Sequence, residues 1–352
     1  IDQMKRPAYD SPALPIDFKR LEYVENGQHE FVYVQPELKS QLLELKKSNP
    51  GLDPFDLKFI IDNFVRNPQI GIIPTDSAIV KIDKAAVLRS GMKCTDSIPD
   101  HMTIRFNRRA VYKSELMMYE MLENCNWTRP IYISLTVGPE NHAGLTPYLI
   151  QEGLASRVTP FVTNNDVVDT QRMYDNLMHK FKFGGIDNPD IYLDETVLRM
   201  CDTHRRMFVQ LTSQLIKEGK KDKALKALDY CEKVIPSTTV PHDYLMSSSK
   251  EMAENYLALG QPQKAEKILN ELANNAVEYA TWYLSLDDAR FTSSYENCMR
   301  YFYILDDVCK TMAQMKDSKT GEENKSALHY AQKFDQLYKL LEKRVGNSAP
   351  AQ

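Results

Sequence analysis

The period of the hydrophobic positions changes near residue 190. Before it, β-branched and aromatic residues gather in short runs, EFVYVQ (30–35), SAIVKI (77–82), MTIRFN (102–107) and RPIYISLTVG (129–138), whose composition predicts strands. Between them PELKSQLLELKKS (36–48), DPFDLKFIIDNFVRN (53–67) and SELMMYEMLENC (114–125) have helical spacing. In the second of these Leu57, Ile60, Ile61 and Phe64 fall at i, i+3, i+4 and i+7, with Asp53 or Pro54 at the start; Ser114, with Glu115 in the first turn, opens the third. Strands alternating with helices predict an α/β or α+β domain over residues 1–185.

Beyond residue 190 the period is 3.6. Val197, Cys201, His204, Phe208, Leu211 and Leu215 share one helical face, where His204 reads as an interior histidine satisfied by its neighbours. An internal repeat follows: Gly219 and Ala224 recur as Gly260 and Ala265, both offset by 41 residues. Each glycine would make an inter-helix turn and each alanine a close helix–helix approach. Tyr256 lies four residues before the second glycine, and Pro236 closes the first unit. These positions predict tetratricopeptide-like helical hairpins over 186–345, the usual period stretched by STTVPHDY (237–244) and the Trp and Leu-Gly positions unfilled. Further helices are expected at about 275–285, 293–316 and 322–345, and GNSAPAQ (346–352) reads as a disordered tail. Proline agrees with the division, since 14 of the 18 prolines lie at or before Pro189.

Charge and composition narrow the function. Forty-four basic and 48 acidic residues in 352 give a net charge of −4, so no strong field draws nucleic acid or an anionic membrane. No apolar run approaches the roughly 18 residues of a membrane span. Six scattered cysteines (Cys94, Cys125, Cys201, Cys231, Cys298, Cys309) without C-x-x-C spacing read as buried thiols, and no cofactor or metal is expected. The chain begins at Ile1 with no leader pattern, so it is read as processed or cut from something longer.

The sequence has no G-x-S-x-G, P-loop, G-x-G-x-x-G or H-E-x-x-H motif. Its densest polar constellation lies at 126–160, with Trp127, Arg129, His142, Tyr148, Glu152 and Arg157. Two readings of it stand. Arginine forks beside a carboxylate, a histidine and aromatics suit a sugar or an anionic group; alternatively Glu152 and Arg157 form a structural ion pair while Trp127 and Tyr148 pack the core. The acidic stretch DNPDIYLDE (187–195) lacks EF-hand spacing and reads as helix capping. Arg105, Arg108, Arg109 and Lys113 read as a solvated face.

NWTRPIYISLTVG, GLTPYLIQEGLASRVTP and RMYDNLMHKFKFGGIDNPDIYLDETVLRM, with the opening IDQMKRPAYDSPALPI and EGKKDKALKALDYCEKVIP, carry a resemblance over nearly the whole chain. They resemble the soluble C-terminal region of a multi-spanning membrane-protein family common in Bacteroidetes and related to protein O-mannosyltransferases. The resemblance implies an upstream transmembrane bundle of the GT-C kind using a lipid-linked sugar donor. It places this region on the periplasmic side, attached to the inner membrane. The family's catalytic carboxylate belongs to a loop near the first membrane helices; no position here corresponds to it, so no catalytic residue is assigned. An upstream segment that begins the family's α/β domain is also lacking here, which implies an open sheet edge.

The expectation is therefore an accessory region that binds rather than catalyses. Its partners would be the upstream transmembrane part of the same polypeptide and an acceptor protein or partner subunit held on the concave helical surface, with no nucleic acid. Two alternatives stay open: an α/β domain that is itself a sugar- or anion-binding or catalytic unit, and a purely structural scaffold.

Overall fold

The computed structural model describes residues 31–67, 69–93, 97–163, 168–315 and 324–347. The opening segment 1–30, Cys94 and the end of the tail, 348–352, lie outside the described residues. The chain divides into two compact units, Ile1–Asp169 and Thr170–Gln352.

The first unit is α+β, with small sheets where the short apolar runs lie. Strand β1 (Phe31–Val34) is central in one sheet, parallel to β2 (Ile72–Ile73) and antiparallel to β5 (Ala110–Tyr112). The parallel pair needs a crossover. That crossover contains α1 (Lys39–Ser48) and α2 (Leu57–Ile60), the latter continuing as a π-helical turn over Ile61–Val65. Asp56, and neither Asp53 nor Pro54, caps α2: its carboxylate accepts from the Lys58 and Phe59 amides at 3.0 and 3.3 Å. Strands β3 (Ser77–Lys81) and β4 (His101–Arg105) pair antiparallel around the short α3 (Lys84–Arg89).

Helix α4 (Lys113–Asn124) begins one residue before Ser114, and Glu115 turns back to accept from the Tyr112 amide at 2.9 Å. Beyond it Asn126 and Trp127 both adopt left-handed backbone, φ 45° and 57°. The Trp127 indole is buried and donates to the Lys81 carbonyl at 3.2 Å. The third sheet has the order β6 (Tyr132–Ser134), β8 (Ala155–Val158), β7 (Leu149–Gln151), so only three residues of the expected 129–138 strand pair. Val32, Ile60, Val80, Ile104, Leu116 and Trp127 belong to one continuous core beneath these elements.

The second unit is all-helical: α5 (Thr170–Asp175), α6 (Glu195–Lys217), α7 (Lys221–Val234), α8 (Ser249–Ala258), α9 (Pro262–Ser285), α10 (Asp288–Ala313) and α11 (Lys325–Asn347). Asp194 of the acidic stretch caps α6, accepting from the Val197 amide at 2.8 Å. The helix expected at 275–285 is the far half of the continuous α9, and α11 extends through Gly346 and Asn347 into the expected tail. No helix among the described residues is long and apolar enough to cross a membrane.

The repeat positions behave alike in α6/α7 and α8/α9. Gly219 and Gly260 take φ 74° and 72°, a left-handed turn that a Cβ would oppose. Behind them the Lys220 amide reaches the Leu215 carbonyl at 2.8 Å, and the Gln261 amide reaches Tyr256 at 2.9 Å. Ala224 and Ala265 are fully buried at the corresponding place in the next helix. Tyr256 is buried with its hydroxyl donated to Asp229 at 3.1 Å, and Pro236 follows the end of α7.

The stretched connection between the hairpins is fastened by Arg205. This α6 side chain is completely buried and donates to the carbonyls of Ile235, Val240 and Pro241 at 3.0, 2.7 and 3.1 Å. His204, half-buried on the neighbouring face, bonds the Met200 carbonyl at 2.7 Å and meets the rings of Phe181 and Phe183. Cys125, Cys201, Cys231 and Cys298 are buried thiols and Cys309 is partly buried; burial pushes the Cys125 thiol up to about 11.

Candidate functional site

The six polar and aromatic residues of segment 126–160 divide among separate places in the first unit. Glu152 and Arg157 are buried side by side, Nη1 to Oε1 3.8 Å, and the Tyr132 hydroxyl donates to the other Glu152 oxygen at 2.7 Å. Tyr132 and Arg157 are register partners across β6 and β8, which brings them to one sheet face. Arg157 also lines, with Trp127 and Arg129, a cavity of about 10 Å³, room for a single water at most.

His142 sits elsewhere, in the turn after Pro139. Its Nδ1 meets Thr146 Oγ1 and its Nε2 meets the Val137 carbonyl, both at 3.1 Å, so Nε2 carries the proton. The Tyr148 hydroxyl donates to the Thr103 carbonyl at 2.6 Å and accepts from the Thr103 amide at 3.2 Å, tying the 139–148 segment to β4. The polar atoms of His142 and Tyr148 are thus engaged inside the protein.

Beside that tie lies a groove of about 730 Å³. One wall is the end of β4 and the turn to β5, with Arg105, Asn107 and Arg108; the other is the 139–148 segment. Glu115 and Tyr119 of α4 line it, and the Tyr119 hydroxyl donates to the Ala143 carbonyl at 3.1 Å. Burial first, and then the Glu115 charge, hold the Tyr119 phenol well above its usual range. Arg108 bonds the Glu140 carbonyl and stands 3.9 Å from Glu115. Two residues of the four-member basic group, Arg105 and Arg108, therefore line a pocket, whereas Arg109 and Lys113 do not. Nothing in the local pattern separates the two pairs, because the difference comes from the 139–148 segment folding over the β4 end.

The second unit exposes aromatic rings. Tyr279 and Trp282 of α9 are 49% and 53% exposed. Tyr279 stacks on Tyr301 of α10 at 4.6 Å and 13°; Tyr283 lies 5.9 Å from Tyr301 and 4.7 Å from Trp282. Among the described residues no group of three or more His, Cys, Asp or Glu is placed to hold a metal ion.

The molecule is thus an α+β unit with a polar groove, joined in sequence to helical hairpins with an exposed aromatic cluster. Residues 1–177 match the model of TMEM260-associated domain 2, and the chain belongs to that family. No curated protein and no solved structure matches the chain.

Proposed function

We propose that this chain is the extracytoplasmic accessory region of a glycosyltransferase-like integral membrane protein, of Bacteroidetes origin and related to protein O-mannosyltransferases. Its helical unit holds acceptor polypeptide or a partner subunit. The observation that carries the binding role is the four-ring cluster of Tyr279, Trp282, Tyr283 and Tyr301. Tyrosine and tryptophan supply large contact area at low entropic cost, and exposed groups of them favour recognition over solvation. Membership of a TMEM260-associated family supports the membrane setting.

The test places Tyr279→Ser with Trp282→Ser in the native membrane protein. Each ring sits at the surface, so folding and membrane insertion are expected to persist while acceptor glycosylation falls. A photocrosslinker at position 282 is expected to capture an acceptor or subunit. Unchanged glycosylation in the double variant, with no crosslink at 282, would overturn the reading.

A further inference from the structure

The groove of the first unit carries a set of hydrogen-bond donors that the fold does not use. At its edge the chain passes from His142, φ −80° and ψ 3°, to Ala143 at φ 51° and Gly144 at φ 76°. A right-handed residue followed by a left-handed one turns successive backbone N–H groups toward the same side, the concave arrangement that cradles anionic oxygens. The N–H groups of Ala143 and Gly144 donate to no atom among the described residues, although Ala143 is buried. Ala143 also holds left-handed backbone without being glycine, a conformation that persists only where its surroundings enforce it. The enforcement is visible: Tyr119 bonds the Ala143 carbonyl, and the Arg105 carbonyl packs so closely on Gly144 that a Cβ there would lie 2.8 Å from it.

The side chains of the groove point to the same ligand chemistry. Both carboxylates are occupied: Glu115 caps α4 and faces Arg108, and Glu140 accepts from Asn141 at 3.3 Å. Arg105 and Asn107 form no side-chain hydrogen bond or ion pair among the described residues. Two backbone amides, one guanidinium and one carboxamide are therefore unspent donors around a cavity of about 730 Å³, a size suited to a small molecule.

We infer that this groove binds a small molecule through a phosphate or carboxylate group, held by the Ala143 and Gly144 amides and by Arg105. The site is separate from the aromatic cluster of the helical unit and stands or falls without it.

The experiment is an amide-resolved NMR titration of the full chain with glucose 6-phosphate, glucuronate and glucose. The two anionic probes distinguish a phosphate ligand from a carboxylate one, and glucose is the neutral control. Saturable shifts are expected at Ala143, Gly144 and Arg105–Arg108 with at least one anion and not with glucose. Arg105→Ala is expected to weaken that binding about tenfold or more. Its exposed side chain leaves the backbone contact to Gly144 in place, and Asn107→Ala serves as a second, milder variant. Shifts confined to Arg109 and Lys113, equal shifts with glucose, or no shift at millimolar probe would each overturn the assignment.

Discussion

Replacing Arg205 with alanine should unfasten the connection between the two helical hairpins. The side chain has no exposure and ends on three carbonyls, those of Ile235, Val240 and Pro241, with Asp202 at 3.5 Å. Truncation strands three acceptors, those of Ile235 and Val240 buried and that of Pro241 nearer the surface, and removes the counter-charge of Asp202. A hydrogen bond from a charged donor contributes roughly 1.5 kcal/mol or more, so three sum to about 4–5 kcal/mol. The loss of one partner of a buried ion pair falls in the same range, about 3–5 kcal/mol. Against a total stability of roughly 5–15 kcal/mol, that loss leaves the helical unit marginal. Urea unfolding followed by circular dichroism measures the change, and hydrogen exchange at the Thr239 and Val240 amides reads the connection itself. Arg205→Lys keeps the charge but not the planar fork, so it should recover only part of the loss. A loss below about 1 kcal/mol with both amides still protected would refute the reasoning.

Glu123 makes stability depend on pH in the opposite sense to an ion-paired carboxylate. Burial, followed by the Asp56 charge, lifts its pKa from 4.5 to about 7. Between those values the folded protein holds a proton that the unfolded chain has released, so this group lowers stability as pH rises from 4.5 to 7. Glu123→Gln should raise stability at pH 8 by about 2 kcal/mol, allowing for partial solvent screening, and flatten the dependence; equal stability of variant and parent at pH 5 and pH 8 would contradict it. Gly219→Ala and Gly260→Ala should each cost about 1 kcal/mol by thermal denaturation. The cost is conformational, since nothing lies within 4 Å of either added Cβ. Tyr256→Phe should lose about 1 kcal/mol with its bond to Asp229, whose Oδ1 keeps Lys264 at 2.6 Å, as urea titration would show.

The division into a mixed unit and a helical one is legible because strands and helices write different periods, and the offset glycines mark turns that recur hydrogen bond for hydrogen bond. What hides is what depends on distant chain. Nothing in the local pattern marks Arg205, because the carbonyls it bonds come from residues 235–241, thirty or more positions away. Strands β2 and β5 are too short to announce themselves, and they pair only because β1 lies between them. The polar segment 126–160 is conspicuous in sequence, but its histidine and Tyr148 are spent on internal bonds. The free donors lie at Arg105, Asn107 and a left-handed turn that no residue-type pattern reveals.

Fractionation of native cells tests the proposal that this region works outside the cytoplasmic membrane as part of a membrane protein. An antibody raised against the chain should detect a band in the inner-membrane fraction that added protease removes from intact spheroplasts. A band confined to the soluble fraction and protected until the spheroplasts are lysed would contradict it.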